Sequence, residues 1–238
     1  WAYFATAMQD HFRVVAVDQR GHGDSGWAPD GDYSPAAHGR DLDALILQLR
    51  LEEFALVGFS MGGRNAMWLT DRHGARLRRL VIVDAGPQRP HTTGSSARQF
   101  MSGPDLLDSV EDFVERAVRF NPRPSRETLR ESLLHNLRQV PDGKWTWKYD
   151  PLLRQPNRQI APAGDLWPVL AKIACPTLIV RGAESPALPE EHAARMAEVI
   201  PNARVVTISA AGHTVMGDNP IEFEAKVKPF LVGKNTAG

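Results

Sequence analysis

The stretch that decides the fold is Phe54-Ala55-Leu56-Val57-Gly58-Phe59-Ser60-Met61-Gly62-Gly63-Arg64-Asn65-Ala66-Met67-Trp68-Leu69-Thr70-Asp71-Arg72-His73. Residues 54–59 form a short apolar run, the signature of a strand buried on both faces. Residues 61–73 read as a helix, and Gly74 as its stop. Between them lies Gly58-Phe59-Ser60-Met61-Gly62, a G-x-S-x-G turn from strand to helix. Such a turn is sharp, and small residues at 58 and 62 would relieve crowding around Ser60. The serine then stands at a helix N-terminus, where free backbone N–H groups and the helix dipole favour a developing negative charge.

Working outward, the same alternation repeats. Residues 12–17 (FRVVAV), 80–83 (LVIV), 177–181 (TLIVR) and 204–208 (RVVTI) read as further buried strands. Helical patterns fall at 1–8, from Ser34-Pro35 through Leu49, at 189–199, and from Asn219-Pro220 to about residue 231. Short buried strands alternating with helices imply a mostly parallel sheet covered on both faces. Residues 88–168 break the rhythm and are too long for a loop. Helices are expected there at 105–120 and 125–139, and Asp142-Gly143 marks a turn before Lys144-Trp145-Thr146-Trp147-Lys148. The segment reads as a cap inserted over the carboxyl edge of a core made of residues 1–87 and 169–238.

A serine hydroxyl needs a base. Of eight histidines, His213 is best placed, because Ala211-Gly212-His213 follows the last strand and precedes the last helix. His22 lies in a glycine-rich turn. His11, His38, His73, His91, His135 and His192 fall on expected helices or surface connections.

Together these pieces resemble the α/β-hydrolase superfamily, in the broad bacterial group of capped serine esterases and related hydrolases. The resemblance rests on residues 17–25 (VDQRGHGDS), 58–63 (GFSMGG), Asp84-Ala85-Gly86-Pro87, Arg181-Gly182-Ala183-Glu184-Ser185 and Ala211-Gly212-His213. It implies an α/β-hydrolase fold with a helical cap, a Ser-acid-His triad, and hydrolysis. Ser60 would be the nucleophile and His213 the base. Most relatives carry the acid as Asp three residues after the glycine of the Arg181-Gly182 turn. Here that position is Ser185, which holds no charge, with Glu184 beside it. A smaller set takes the acid from the end of the strand after the nucleophile helix, here Asp84. Asp84 is taken as the acid, with Glu184 as the alternative. The resemblance also makes the Met61 N–H one oxyanion donor. The other comes, in relatives, from a His-Gly loop ahead of the helix at 1–8, along with two or three earlier strands. The sequence contains none of these, so it reads as a fragment of a longer polypeptide.

Composition narrows the function. Lys+Arg and Asp+Glu are both 28, for a formal net charge of zero. No basic excess points to nucleic acid. A mean hydropathy of −0.32, with no apolar run near the roughly 20 residues of a membrane span, points to a soluble, cytoplasmic protein. The single cysteine, Cys175, excludes an internal disulfide. Asp18 and Arg20 are expected to tie down the loop after the first strand. Trp145, Trp147 and Trp167 fit equally well as acyl-pocket lining or as core. No metal-ligand spacing or complete phosphate loop occurs, so neither metal nor cofactor is expected. The expected reaction is cleavage of a small-molecule carboxylic ester, with lactones and thioesters close behind. Carbon–carbon bond hydrolysis or perhydrolysis by the same triad is the alternative. A non-catalytic ligand-binding protein on this fold is the reading from another class.

Overall fold

A computed structural model of the chain describes residues 1–88, 103–155 and 165–233. Contacts divide it into two units. The first comprises Trp1–Ala16, Gly39–His91 and Pro162–Gly238, and the second Val17–His38 and Thr92–Ala161.

The first unit is built on four parallel strands: β1 (Phe54–Phe59), β2 (Leu77–Val83), β6 (Thr177–Gly182) and β7 (Ala203–Ile208), in the order β1-β2-β6-β7. Strand side chains alternate between faces, and both faces are covered. Leu80, Ile82 and Ile179 pack with Ala66 and Met67 of α3 (Met61–His73) and with Ala193 and Met196 of α7 (Glu190–Val199). Val81, Val83, Leu178 and Val180 pack on the other side. Their neighbours there are Phe4 and Met8 of α1 (Ala2–Met8) and Phe223 and Val227 of α9 (Pro220–Val232). Cover on both faces explains why the central strands, β2 and β6, read as continuous apolar runs. The fold is therefore a parallel sheet flanked by helices, with a mainly helical insertion of the kind that forms a cap subdomain.

One local reading needs correction. Residues 12–17 are not a strand. Val14, Val15 and Val17 are exposed, and among the described residues none pairs with this segment. Apolar β-branched composition predicts a strand, but ladder hydrogen bonds from a neighbour make one. Gly74 does follow the last residue of α3, as expected, but as a C-cap with φ of −52° that leads into a 3₁₀ turn at Gly74–Arg76, not in the left-handed conformation common at helix ends.

The second unit holds α4 (Val110–Phe120), α5 (Arg126–Asn136) and a small antiparallel sheet. Its strands are β3 (Leu106–Leu107), β4 (Leu137–Gln139) and β5 (Trp145–Trp147), in the order β3-β5-β4. The expected helix over 125–139 thus stops at Asn136, and its last three residues pair with Trp145–Trp147 across the Asp142-Gly143 turn. Ser109 caps α4 in a reciprocal box with Asp112. Trp147 is core here. It packs edge-on to Phe113 with centroids 5.0 Å apart, and stacks on Tyr149 at 5.2 Å. Val17–His38 belongs to this unit through Tyr33, which donates to the buried Asp150, and through Trp27 Nε1, which donates to the Lys148 carbonyl. Asp18 accepts from the Asp24 N–H and the Ser25 hydroxyl, so it does tie down its loop. Arg20 does the same through the Asp32 carbonyl. Within the 88–168 insertion, residues 89–102 and 156–164, and His91 with them, lie outside the described residues. No helix among the described residues is long and apolar enough to cross a membrane.

Candidate active site

The site assembles at the carboxyl ends of adjacent strands, where open parallel sheets bind ligands. Phe59 is paired with Val83, and Val83 with Val180. Ser60 and Asp84 are therefore the first residues past the ends of neighbouring strands. Their amides continue the ladder: Ser60 N–H donates to the Val83 carbonyl at 3.0 Å, and Asp84 N–H to the Val180 carbonyl at 2.7 Å. Both residues then leave the strand abruptly, with φ of 51° and 47°. A third positive-φ residue, Ala210 at 49°, turns the chain just before Ala211-Gly212-His213. Non-glycine residues held in this way cost on the order of 1–3 kcal/mol each, and persist only where the surroundings impose them.

The elbow shows what imposes the conformation of Ser60. A Cβ at Gly58 would lie 2.4 Å from the Gly62 carbonyl oxygen, and one at Gly63 would lie 2.6 Å from the Ala85 Cβ. The close approach at Gly58 is to Gly62 itself, and Gly63 is a further position where the elbow leaves no room for a side chain. The first turn of α3 folds directly back over β1 and β2, which lifts Ser60 to the helix start. As first residue of α3, Met61 carries one of the amides that a helix leaves without an intrahelical acceptor.

His213 lies between the serine and the aspartate. Its Nε2 is 3.0 Å from Ser60 Oγ, and its Nδ1 is 2.7 Å from Asp84 Oδ2. An ionised carboxylate only accepts hydrogen bonds, so Nδ1 carries the proton and Nε2 is left to accept from the Ser60 hydroxyl. The imidazole is partly open to solvent, whereas the Asp84 side chain is 0% exposed. Phe59 packs against the imidazole at 4.8 Å between ring centroids. The loop bearing His213 is held by the Gly212 N–H, which donates to Asp218 Oδ2 at 2.8 Å.

The sequence left Asp84 and Glu184 in competition. The structure brings Asp84 to His213. Glu184 is exposed, and its backbone N–H donates to the Ala211 carbonyl at 2.9 Å. One contributor was missed. Ser185, considered only for its lack of charge, is buried, and its hydroxyl donates to Asp84 Oδ2. The need of a buried carboxylate for donors was the available signal. Of the tryptophans weighed as pocket lining, Trp147 is insertion core. Trp167 packs against the sheet's helical layer with Arg195 4.2 Å above its ring.

Comparison with known proteins agrees with this fold. The profile of the alpha/beta hydrolase fold matches residues 1–220. Esterase Rv0045c of Mycobacterium tuberculosis is 29% identical over 214 residues, covering 87% of this chain and 70% of that protein. The sn-1-specific diacylglycerol lipase ABHD11 of Mus musculus is 30% identical over 234 residues, covering 92% of this chain and 71% of its own. Among solved structures, an alpha/beta hydrolase from Novosphingobium aromaticivorans superposes with a TM-score of 0.82 at 26% identity, over 95% of this chain and 82% of that one.

Proposed function

Because this chain belongs to the alpha/beta hydrolase fold family, and is a hydrolase of ester-like substrates, we propose that it cleaves carboxylic esters through a covalent acyl-enzyme on Ser60. The observation that carries the reading is the unbroken relay from Ser60 Oγ to His213 Nε2 at 3.0 Å and from His213 Nδ1 to Asp84 at 2.7 Å.

In the first half-reaction His213 Nε2 takes the hydroxyl proton as Ser60 Oγ attacks the acyl carbonyl. The carbonyl oxygen becomes an oxyanion, and the Met61 N–H at the start of α3 is its donor from this chain. Collapse of the tetrahedral species expels the alcohol, protonated by the imidazolium. Asp84 keeps the imidazole in the reactive tautomer and stabilises its cationic form. In the second half-reaction His213 takes a proton from water, hydroxide adds to the acyl-serine, and the carboxylic acid leaves with the Ser60 proton restored. Residues 1–87 and 169–238 form the catalytic core in this reading, with 88–168 as the insertion.

The test is steady-state hydrolysis of a panel of chromogenic esters of graded acyl length by wild type and Ser60→Ala. Removing the nucleophile lowers kcat by at least ~10³-fold with the fold retained. A Ser60→Ala protein that keeps most of its activity refutes the reading.

A further inference from the structure

We propose that Ser185 is a positioning residue for catalysis, a hydroxyl that fixes the Asp84 carboxylate in its line to His213. The proposal rests on the triad reading above. It starts from a physical need. The Asp84 side chain is fully buried, and a buried carboxylate requires donors for both its oxygens. A single donor from His213 would leave the carboxylate free to rotate about χ2, a broad and soft torsion. Rotation would carry Oδ2 out of line with the imidazole.

The turn after β6 supplies the missing donors. Gly182 N–H donates to Oδ1 at 3.3 Å, and the Ser185 hydroxyl donates to Oδ2, the oxygen that His213 uses. The direction of that hydroxyl is itself dictated. Its oxygen accepts from the Ala187 N–H at 3.2 Å, and the Ser185 N–H closes the turn on the Gly182 carbonyl at 3.1 Å. With an acceptor role already assigned, the proton of Ser185 is left for Asp84.

The same turn also fixes the far side of the relay. A Cβ at Gly182 would lie 2.2 Å from the Gly212 carbonyl oxygen and 2.6 Å from that of Ala211. Only glycine admits the histidine loop this closely. The Glu184 N–H then donates to the Ala211 carbonyl at 2.9 Å. Residues 182–185 therefore hold both members of the His213–Asp84 pair, Asp84 by side-chain and backbone donors and the His213 loop by backbone packing. From this turn, the Ser185 side chain donates to the carboxylate.

The experiment is a double-mutant cycle of Ser185→Ala and Asp84→Asn, read as kcat and KM on one chromogenic ester, with melting temperature followed in parallel. A hydrogen bond to a charged group, removed at the step where charge develops on the imidazole, corresponds to roughly a ten- to hundredfold loss. Ser185→Ala is expected to lower kcat by that factor with KM changed less than about threefold. In the Asp84→Asn background the same change should cost less than about threefold, because Ser185 acts through the carboxylate. Ser185→Thr, which keeps the hydroxyl, should recover most of the rate. Should the alanine variant fail to fold, Ser185→Cys enters the cycle, its thiol being a near-isosteric but weak donor. An unchanged kcat in Ser185→Ala overturns the proposal, as does an equal loss in both backgrounds. Near-wild-type activity of Asp84→Asn alone overturns the triad reading instead, a result that the cycle separates from the failure of Ser185.

Discussion

The two units of this chain solve the problem of order by different means. In the first, Leu80, Val81, Ile82, Val83, Leu178, Ile179 and Val180 have no exposed surface, and parallel ladders fix their carboxyl ends in register. Ser60 and Asp84 stand one residue beyond the ends of β1 and β2, on backbone with positive φ. In the second, among the described residues, the strands β3, β4 and β5 and the helices α4 and α5 surround a small core in which cations and aromatic rings mix. Arg116 lies 5.0 Å from the centre of the Phe113 ring and 5.7 Å from that of Trp147. Burial pushes its guanidinium below the ordinary value and the Tyr149 phenol above it. The difference teaches that a backbone ladder delivers precision where chemistry is done. Side-chain stacking orders the core of the second unit. Substitutions in the first unit's site should therefore be read in kcat, and those in the second unit in stability.

The sharpest way to break that comparison is Asp84→Asn. The amide keeps the shape but donates where the carboxylate accepted, and so favours the wrong imidazole tautomer. A loss in kcat approaching ~10⁴-fold, about 5.4 kcal/mol of barrier, is expected, with little change in melting temperature. Glu184→Gln should cost about tenfold or less. If Glu184→Gln abolished turnover and Asp84→Asn did not, the assignment of the acid would be reversed.

Trp147→Ala tests the other half. Truncating a large buried aromatic costs about 3–5 kcal/mol, which urea denaturation would report as a lower midpoint or as a separate early transition. Turnover of a short acetate ester, measured well below that midpoint, should stay within a fewfold of wild type. A variant with unaltered stability and a changed acyl-length preference would move Trp147 from core to substrate contact.

The smallest effect expected is that of Ser109→Ala. Its side chain accepts from the Asp112 N–H at the start of α4, and losing such a cap costs ~1 kcal/mol. Thermal denaturation should show a modest drop with kcat unchanged. A change in kcat without that drop would mean that the insertion reaches the chemistry through this helix.

Local pattern carried much of this into the sequence. The strand–serine–helix elbow is written in consecutive residues, and Met61–His73 emerged with the expected ends. His213 was legible because only one histidine followed the last strand closely. What failed was non-local. Residues 12–17 have strand composition, but composition does not supply a pairing neighbour. Residues 137–139 continue a helical pattern, yet the partner across Asp142-Gly143 draws them into a sheet. The need for glycine at 63 depends on Ala85, two residues past the end of β2. The rival claims of Asp84 and Glu184 turned on side-chain direction, which spacing does not encode. Ser185 escaped notice for a related reason: a serine has meaning there only once a buried carboxylate is seen within its reach.

The central claim, a covalent acyl-enzyme on Ser60, is tested most directly by peptide mass mapping after reaction with a serine-directed fluorophosphonate. The account predicts one adduct on the peptide containing Ser60, formed in step with loss of esterase activity, absent from Ser60→Ala and strongly slowed in His213→Ala. Complete inactivation with Ser60 unmodified, or an adduct on another residue that tracks the loss of activity, would contradict it.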